Sequence, residues 1–221
     1  MARTALLAGA TGLVGSALLP RLLDSPDYER VIVLARRQVP QRHVKLEVVE
    51  TALDDLDPLS SKLAVDDVFC CLGTTTEKAG GQAGLERVDY HMVVDLARST
   101  QAAGAKQFLV VSAAGASLRS PVFYSRVKAR MEQTVARAGF ATIHIVRPSL
   151  LLGKRADARP YEAIAQRAAP LLGLACVGPL RKYRPISAEM VATTLVTLAT
   201  QPAVGVKIHE LPLLPGGSAA V

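Results

Sequence analysis

In the segment SPVFYSRVKARMEQ, Tyr124 and Lys128 stand four residues apart, so on a helix both side chains share one face. A free phenol ionises near pH ~10, too high for ready proton exchange near neutrality. An adjacent ammonium stabilises a phenolate and brings that value down. A phenol so placed can give a proton to a carbonyl oxygen as hydride arrives, or take one from an alcohol in reverse. Lys128 can also hold a ribose. Ser112 precedes Tyr124 by 12 positions, at the end of an apolar run, and is placed to hydrogen-bond the substrate oxygen. Ser117 lies farther into the intervening loop. Plainer roles exist for each: a tyrosine that packs, a serine that caps a strand end. The pair gains weight only from its context.

A second constellation lies at the N-terminus, where LLAGATGLVGSALL spaces Gly9, Gly12 and Gly15 between an apolar run and a helical pattern. A tight turn after a strand needs a residue without a Cβ, and a pyrophosphate must approach the backbone closely. The helix that follows offers free N–H groups and the positive end of its dipole. This strand–turn–helix context turns a common glycine pattern into a dinucleotide-site signal.

In such sites, the group that reads the adenosine ribose lies about twenty residues beyond the motif. An acidic residue there would bind the 2′-hydroxyl of NAD. This chain has VIVLARR, which puts Arg36 and Arg37 at the end of the second strand, with no carboxylate between Arg30 and Arg42. Guanidinium groups suit a 2′-phosphate, so NADP(H) is the expected cofactor. The segment CCLGTTTEKAGG leaves the fourth strand, and the small uncharged Leu72, Gly73 and Thr74 would let a cofactor come close.

The elements that must position these groups alternate along the chain. Strands are expected at Thr4–Ala8, Val31–Ala35, Val44–Val49, Asp67–Leu72, Gln107–Ser112, Thr142–Val146 and Lys207–Leu211. They are near-continuous apolar runs, as in parallel strands covered on both faces. Helices are expected at Leu13–Asp24, kinked at Pro20, at Leu85–Ala103, Phe123–Ala138 and Ala188–Thr200, with a weaker one at Tyr161–Leu172. The pattern is that of an α/β, Rossmann-type, doubly wound and mostly parallel sheet with helices on both faces. No repeat or linker divides the 221 residues, which read as a single domain with a substrate-side segment within 149–186.

Composition narrows the function classes. There is no Trp and aromatics make up 4%, which leaves no stacking platform for single-stranded nucleic acid. Cys70, Cys71 and Cys176 form neither a disulfide framework nor a metal pattern, so no metal is expected. No apolar stretch reaches the ~20 residues of a membrane span, and the glycine spacing near the N-terminus is not that of a secretory leader. A cytoplasmic protein is therefore expected. The net charge is +7, and Lys154–Arg184 holds seven basic residues against Asp157 and Glu162. That stretch is a solvated surface or a site for an anionic small-molecule substrate. Nucleic-acid binding has no support beyond this charge, and homo-oligomerisation stays open.

Taken together, AGATGLVG, CCLGTTTEKAG, VVSAAGA, FYSRVK and VRPSLLLG resemble the extended and atypical branches of the short-chain dehydrogenase/reductase superfamily. The same combination closely resembles the small Tat-interacting oxidoreductase-like proteins and their bacterial relatives. It runs from Leu6 to Thr200, and the CLGTT stretch is its most specific element. The resemblance implies NADPH as cofactor, Tyr124 as proton acceptor or donor and Lys128 as a cofactor ligand. It also implies Arg36 and Arg37 on the 2′-phosphate, with the backbone of Thr11, Gly12, Leu13, Val14, Leu72 and Gly73 lining the cofactor. Many dehydrogenases of the superfamily place an Asn on the fourth helix in a proton relay. Here that stretch reads RVDYHM, with Asp89 and His91, so a water or one of these residues substitutes, or the relay is missing. The two readings that follow are an NADPH-dependent oxidoreductase for a small carbonyl or alcohol and a non-catalytic NADP(H) sensor or assembly factor.

Overall fold

Side chains along the first strand alternate between two apolar layers, and this period of two sets the architecture. The computed structural model describes residues 3–152 and 185–211. Its strands are β1 (Arg3–Ala8), β2 (Tyr28–Ala35), β3 (Leu46–Glu50), β4 (Asp67–Cys70), β5 (Gln107–Val111), β6 (Thr142–Pro148), β7 (Leu151–Leu152), β8 (Ile186–Ser187) and β9 (Gly205–Leu211). Seven of them form one parallel sheet in the order β3-β2-β1-β4-β5-β6-β9, while β7 and β8 pair separately. The helices are α1 (Leu13–Asp24), α2 (Ser60–Leu63), α3 (Gln82–Glu86), α4 (Met92–Ala102), α5 (Phe123–Val135) and α6 (Ala188–Thr200).

Ala5 and Leu7 of β1 face the layer under α1 and α6, with Leu18, Leu22, Val191 and Leu195. Leu6 and Ala8 face the opposite layer, with Val93 and Leu96 of α4 and Met131 and Val135 of α5. Burial on both faces explains why the strands read as unbroken apolar runs. Arg3 closes the first layer at its far end, donating to the Ala199 carbonyl (2.8 Å) and pairing with the buried Asp67 (2.8 Å). Asp67 also accepts from the Tyr28 hydroxyl at 2.7 Å.

All seven expected strands of the main sheet are present, and α1 and α6 begin and end where expected. The third strand starts at Leu46 rather than Val44, whose side chain is almost wholly exposed. Helix α1 continues through Pro20, whose ring faces solvent. The two-residue β7–β8 pair was not anticipated. The expected helix at Tyr161–Leu172, the basic stretch Lys154–Arg184, Cys176 and the tail PGGSAAV lie outside the described residues.

Strand β1 is flanked by β2 on one side and β4 on the other, so the chain reverses its winding direction there. The crevice beyond the carboxyl ends of β1 and β4 is where such sheets bind ligands. The glycine turn, the Leu72–Gly73 loop and the end of β5 all open onto this side of the sheet.

Candidate functional site

The three glycines of the turn do different work. Gly9 has φ +87°, and a Cβ there would lie 2.6 Å from the Cys71 carbonyl, so the turn packs directly on the end of β4. A Cβ on Gly15 would lie 2.1 Å from the Gly9 carbonyl oxygen. Both positions are glycine because the protein leaves no room. Gly12 differs: its backbone is extended (φ −78°, ψ 171°), open to any residue, and its nearest obstacle is the Gly9 oxygen at 3.2 Å. Gly12 and Thr11 are exposed at the mouth of the crevice. The N–H groups of Leu13, Val14 and Gly15 precede the first intrahelical bond, from Ser16 to Gly12 (2.9 Å). No acidic side chain stands in that first turn to offset the helix dipole. A phosphate-bearing ligand fits this cradle, and a side chain at Gly12 would fill it.

Arg36 and Arg37 follow the last residue of β2 and are exposed, with no ion pair to either among the described residues. The strand pairing adds a group that the linear sequence did not bring near: Glu50, at the end of β3, is in register with Ala35 and accepts from Gln38 at 2.6 Å. The end of β2 therefore carries two unpaired guanidinium groups and, one strand over, a carboxylate bound to an amide.

Lys128 is the most unusual group in the crevice. Its side chain is 2% exposed, on the buried face of α5. Its ammonium lies 2.8 Å from Asp89 Oδ1, donates to the Val111 carbonyl at 3.3 Å and stands 5.9 Å from the centre of the Tyr124 ring. Burial alone would push this lysine down; Tyr124 and the Asp89 carboxylate outweigh it and hold it above the ordinary lysine value. Tyr124 itself is half-buried at the start of α5. A Cβ on Gly73 would come within 3.3 Å of Asp89 and 3.8 Å of the Lys128 nitrogen, which places the Leu72–Gly73 loop directly over the pair.

Asp89 reaches Lys128 from a π turn, Arg87–His91, inserted between α3 and α4. The wider turn admits an extra residue into the helix. Its carboxylate is fully buried, and Oδ2 accepts from the Thr74 backbone N–H at 2.8 Å. Tyr90 fastens the same turn to α5, through Thr134 (3.2 Å) and beneath the Arg130 guanidinium at 4.8 Å. His91 is exposed.

Ser112 corrects an expectation. It is buried at the end of β5, and its hydroxyl donates to Glu132 of α5. Glu132 also accepts two bonds from Arg147 of β6, from Nε at 3.0 Å and Nη2 at 2.6 Å. The Ser112 proton is committed to this network inside the protein, so the residue does not present its hydroxyl to a substrate oxygen. Cys70 falls as expected for core, and burial pushes its thiol up to about 11, while Cys71 beside it is half-buried.

The structure thus gathers Gly9, Thr11, Gly12, Leu13, Val14, Gly15, Leu72 and Gly73 at the crevice and sets Tyr124 and Lys128 on one face of α5. Arg36 and Arg37 stand at its β2 end. Asp89 as the partner of Lys128, and Glu132 with Arg147 behind Ser112, are additions of the three-dimensional structure. Only the replacement of Asn by Asp in RVDYHM hinted at the first.

A family described as NAD(P)H-binding matches residues 9–202. The chain is 34% identical over 151 residues to Protein FMP52, mitochondrial, of Eremothecium gossypii, covering 68% of this chain and 67% of that protein. It is 34% identical over 180 residues to Protein fmp52, mitochondrial, of Aspergillus niger, covering 78% and 76% respectively. Among solved structures, MoeE5 in complex with UDP-glucuronic acid and NAD matches with a TM-score of 0.73 at 18% identity, over 93% of this chain and 75% of that one. A UDP-glucose 4-epimerase from Thermotoga maritima matches with a TM-score of 0.69 at 16% identity, over 93% of this chain and 76% of that one. At such identities the likeness shows the fold. The expected cytoplasmic location is overturned by the relatives, whose names are mitochondrial. The chain belongs to the NAD(P)H-binding family and is an FMP52-like member of it.

Proposed function

We propose that the protein is an NADP(H)-dependent oxidoreductase acting on a small carbonyl or alcohol. The observation that carries this reading is the placement of Tyr124 and Lys128 on the crevice face of α5, with the ammonium 5.9 Å from the phenol ring. A bound nicotinamide would supply or accept the hydride. Tyr124 holds the proton that the substrate oxygen gains or loses. Lys128, ion-paired with Asp89 and donating to the Val111 carbonyl, keeps a donor for a ribose hydroxyl. The guanidinium groups of Arg36 and Arg37, without an ion pair among the described residues, favour a 2′-phosphate.

The test is NADPH oxidation, followed by absorbance, across a panel of aldehydes, ketones and quinones. Turnover by the wild type that falls by a factor on the order of 10² to 10⁴ in Tyr124→Phe supports the reading. Activity unchanged in that variant removes Tyr124 from the chemistry.

A second reading, a non-catalytic NADP(H) sensor, is favoured by one specific observation: Ser112 donates to Glu132 and Lys128 is ion-paired with Asp89, both of them buried carboxylates. Under it, NADPH binds, no compound in the panel is reduced, and Tyr124→Phe is silent.

A further inference from the structure

We propose that Asp89 is the positioning residue of this site, fixing the Lys128 ammonium in place and tying it to the backbone of the loop after β4. The inference rests on the proposed function only for what the site is used for; the contacts themselves do not depend on it.

Three observations support it. Asp89 is the only carboxylate in contact with Lys128 among the described residues, and it is fully buried, so little solvent screens the pair. Its two oxygens serve different elements: Oδ1 meets Lys128 on α5, and Oδ2 accepts from Thr74 in the loop that covers the pair. The π turn turns the carboxylate inward, and it is clamped to α5 by Tyr90. A lysine with four rotatable side-chain bonds would otherwise have to choose its position unaided.

The groups that face Lys128 are few. Among the described residues they are Tyr124 from its own helix, Asp89 from the π turn, the Cys70 thiol from β4, the Cys71 thiol just after it and the Val111 carbonyl from β5. Of these, Asp89 supplies the one full negative charge near neutrality. Without it, burial of Lys128 is opposed by a smaller set of groups, Tyr124 foremost, and the balance moves toward the neutral amine. A neutral Lys128 loses both its field on Tyr124 and a donor. Asp89 thus acts through Lys128.

The experiment is an NMR titration of protein carrying ¹³C-labelled lysine, without cofactor or substrate, the Lys128 signal being identified by its loss in Lys128→Met. In Asp89→Asn the Lys128 midpoint should move to lower pH by about one unit or more. An unchanged midpoint overturns the proposal. If Asp89→Asn alone does not fold, the double variant Asp89→Asn/Lys128→Met decides: recovery of folded protein supports action through Lys128, and continued failure overturns it. Because the titration needs neither NADPH nor turnover, its failure is distinct from a failure of the oxidoreductase reading.

Discussion

Arg147 on β6 and Glu132 on α5 form a two-bond ion pair whose carboxylate also receives the Ser112 hydroxyl. Three consecutive elements, β5, α5 and β6, meet at this one side chain. Glu132→Ala would leave both a guanidinium and a hydroxyl without their partner. Breaking a buried pair from one side costs about 3–5 kcal/mol. Arg147 keeps some solvent contact and a second carboxylate, Glu210 at 3.4 Å, so a loss near about 3 kcal/mol is expected in chemical denaturation, the low end of that range. Glu132→Gln, which keeps one acceptor, should lose less.

The glycines of the turn separate folding from binding. Gly12→Val should keep the thermal transition near that of the wild type, because the backbone there is extended and the Gly9 oxygen need give only slightly. Calorimetry should detect no NADPH binding, since the new side chain occupies the pyrophosphate's approach. Gly15→Ala should instead unfold or strongly destabilise the protein, with its Cβ 2.1 Å from a backbone oxygen. Normal NADPH affinity in Gly12→Val would show that the phosphates lie elsewhere.

Cofactor choice is tested at the end of β2. NADPH should bind at least about tenfold more tightly than NADH, a difference of about 1.4 kcal/mol. Replacing Arg36 and Arg37 together by Glu should remove that preference and leave weak NADH binding through the glycine turn. Equal affinities in the wild type, measured by titration calorimetry, would refute the assignment.

The histidine pair gives a pH signature in stability. His144 is 2% exposed, with its Nδ1 3.0 Å from His209 Nε2. Burial, then His209 and Lys207, lowers His144 to about 4 from an ordinary value of 6.5. The unfolded chain therefore binds the proton more readily than the folded one. Stability should fall as pH drops from about 6.5 towards about 4, by up to about 1.4 kcal/mol per pH unit for this one group. His209, also lowered by burial, adds to the slope in the same direction. Urea midpoints across that range should show it, and His144→Gln should flatten the curve.

Wherever one local pattern decided the outcome, the sequence was legible. Helices α1 and α6 match their expected bounds because an apolar stripe and a clear boundary agree in each, the latter a glycine turn in α1 and the Ser187 cap in α6. The strands were legible as apolar runs, though Val44 was drawn into β3 by its type when it has no covering layer. Residues whose role depends on a distant partner were not. The π turn at Arg87–His91 has no local signature, since what it achieves is the meeting of Asp89 with Lys128 on another helix. Ser112 was placed correctly at the end of β5, but which way its hydroxyl donates depends on Glu132, whose approach only the packing of α5 could reveal. Likewise Glu50 is remote from Arg36 along the chain and adjacent only through strand pairing.

The bond from Arg3 to the Ala199 carbonyl joins the first strand to the last helix. On the ribosome this makes the order of synthesis and the order of burial conflict. β1, an inner strand of the sheet, emerges first, yet the layer over Ala5 and Leu7 is completed only when α6 arrives with Val191 and Leu195. Until then the nascent chain exposes an oily strand face and unpaired strand edges, the kind of surface on which chaperones act and aggregates begin. Contacts of such long sequence separation also slow folding. Truncations that stop short of α6 should therefore yield protein that needs chaperone assistance to stay in solution, while the complete helix should release it.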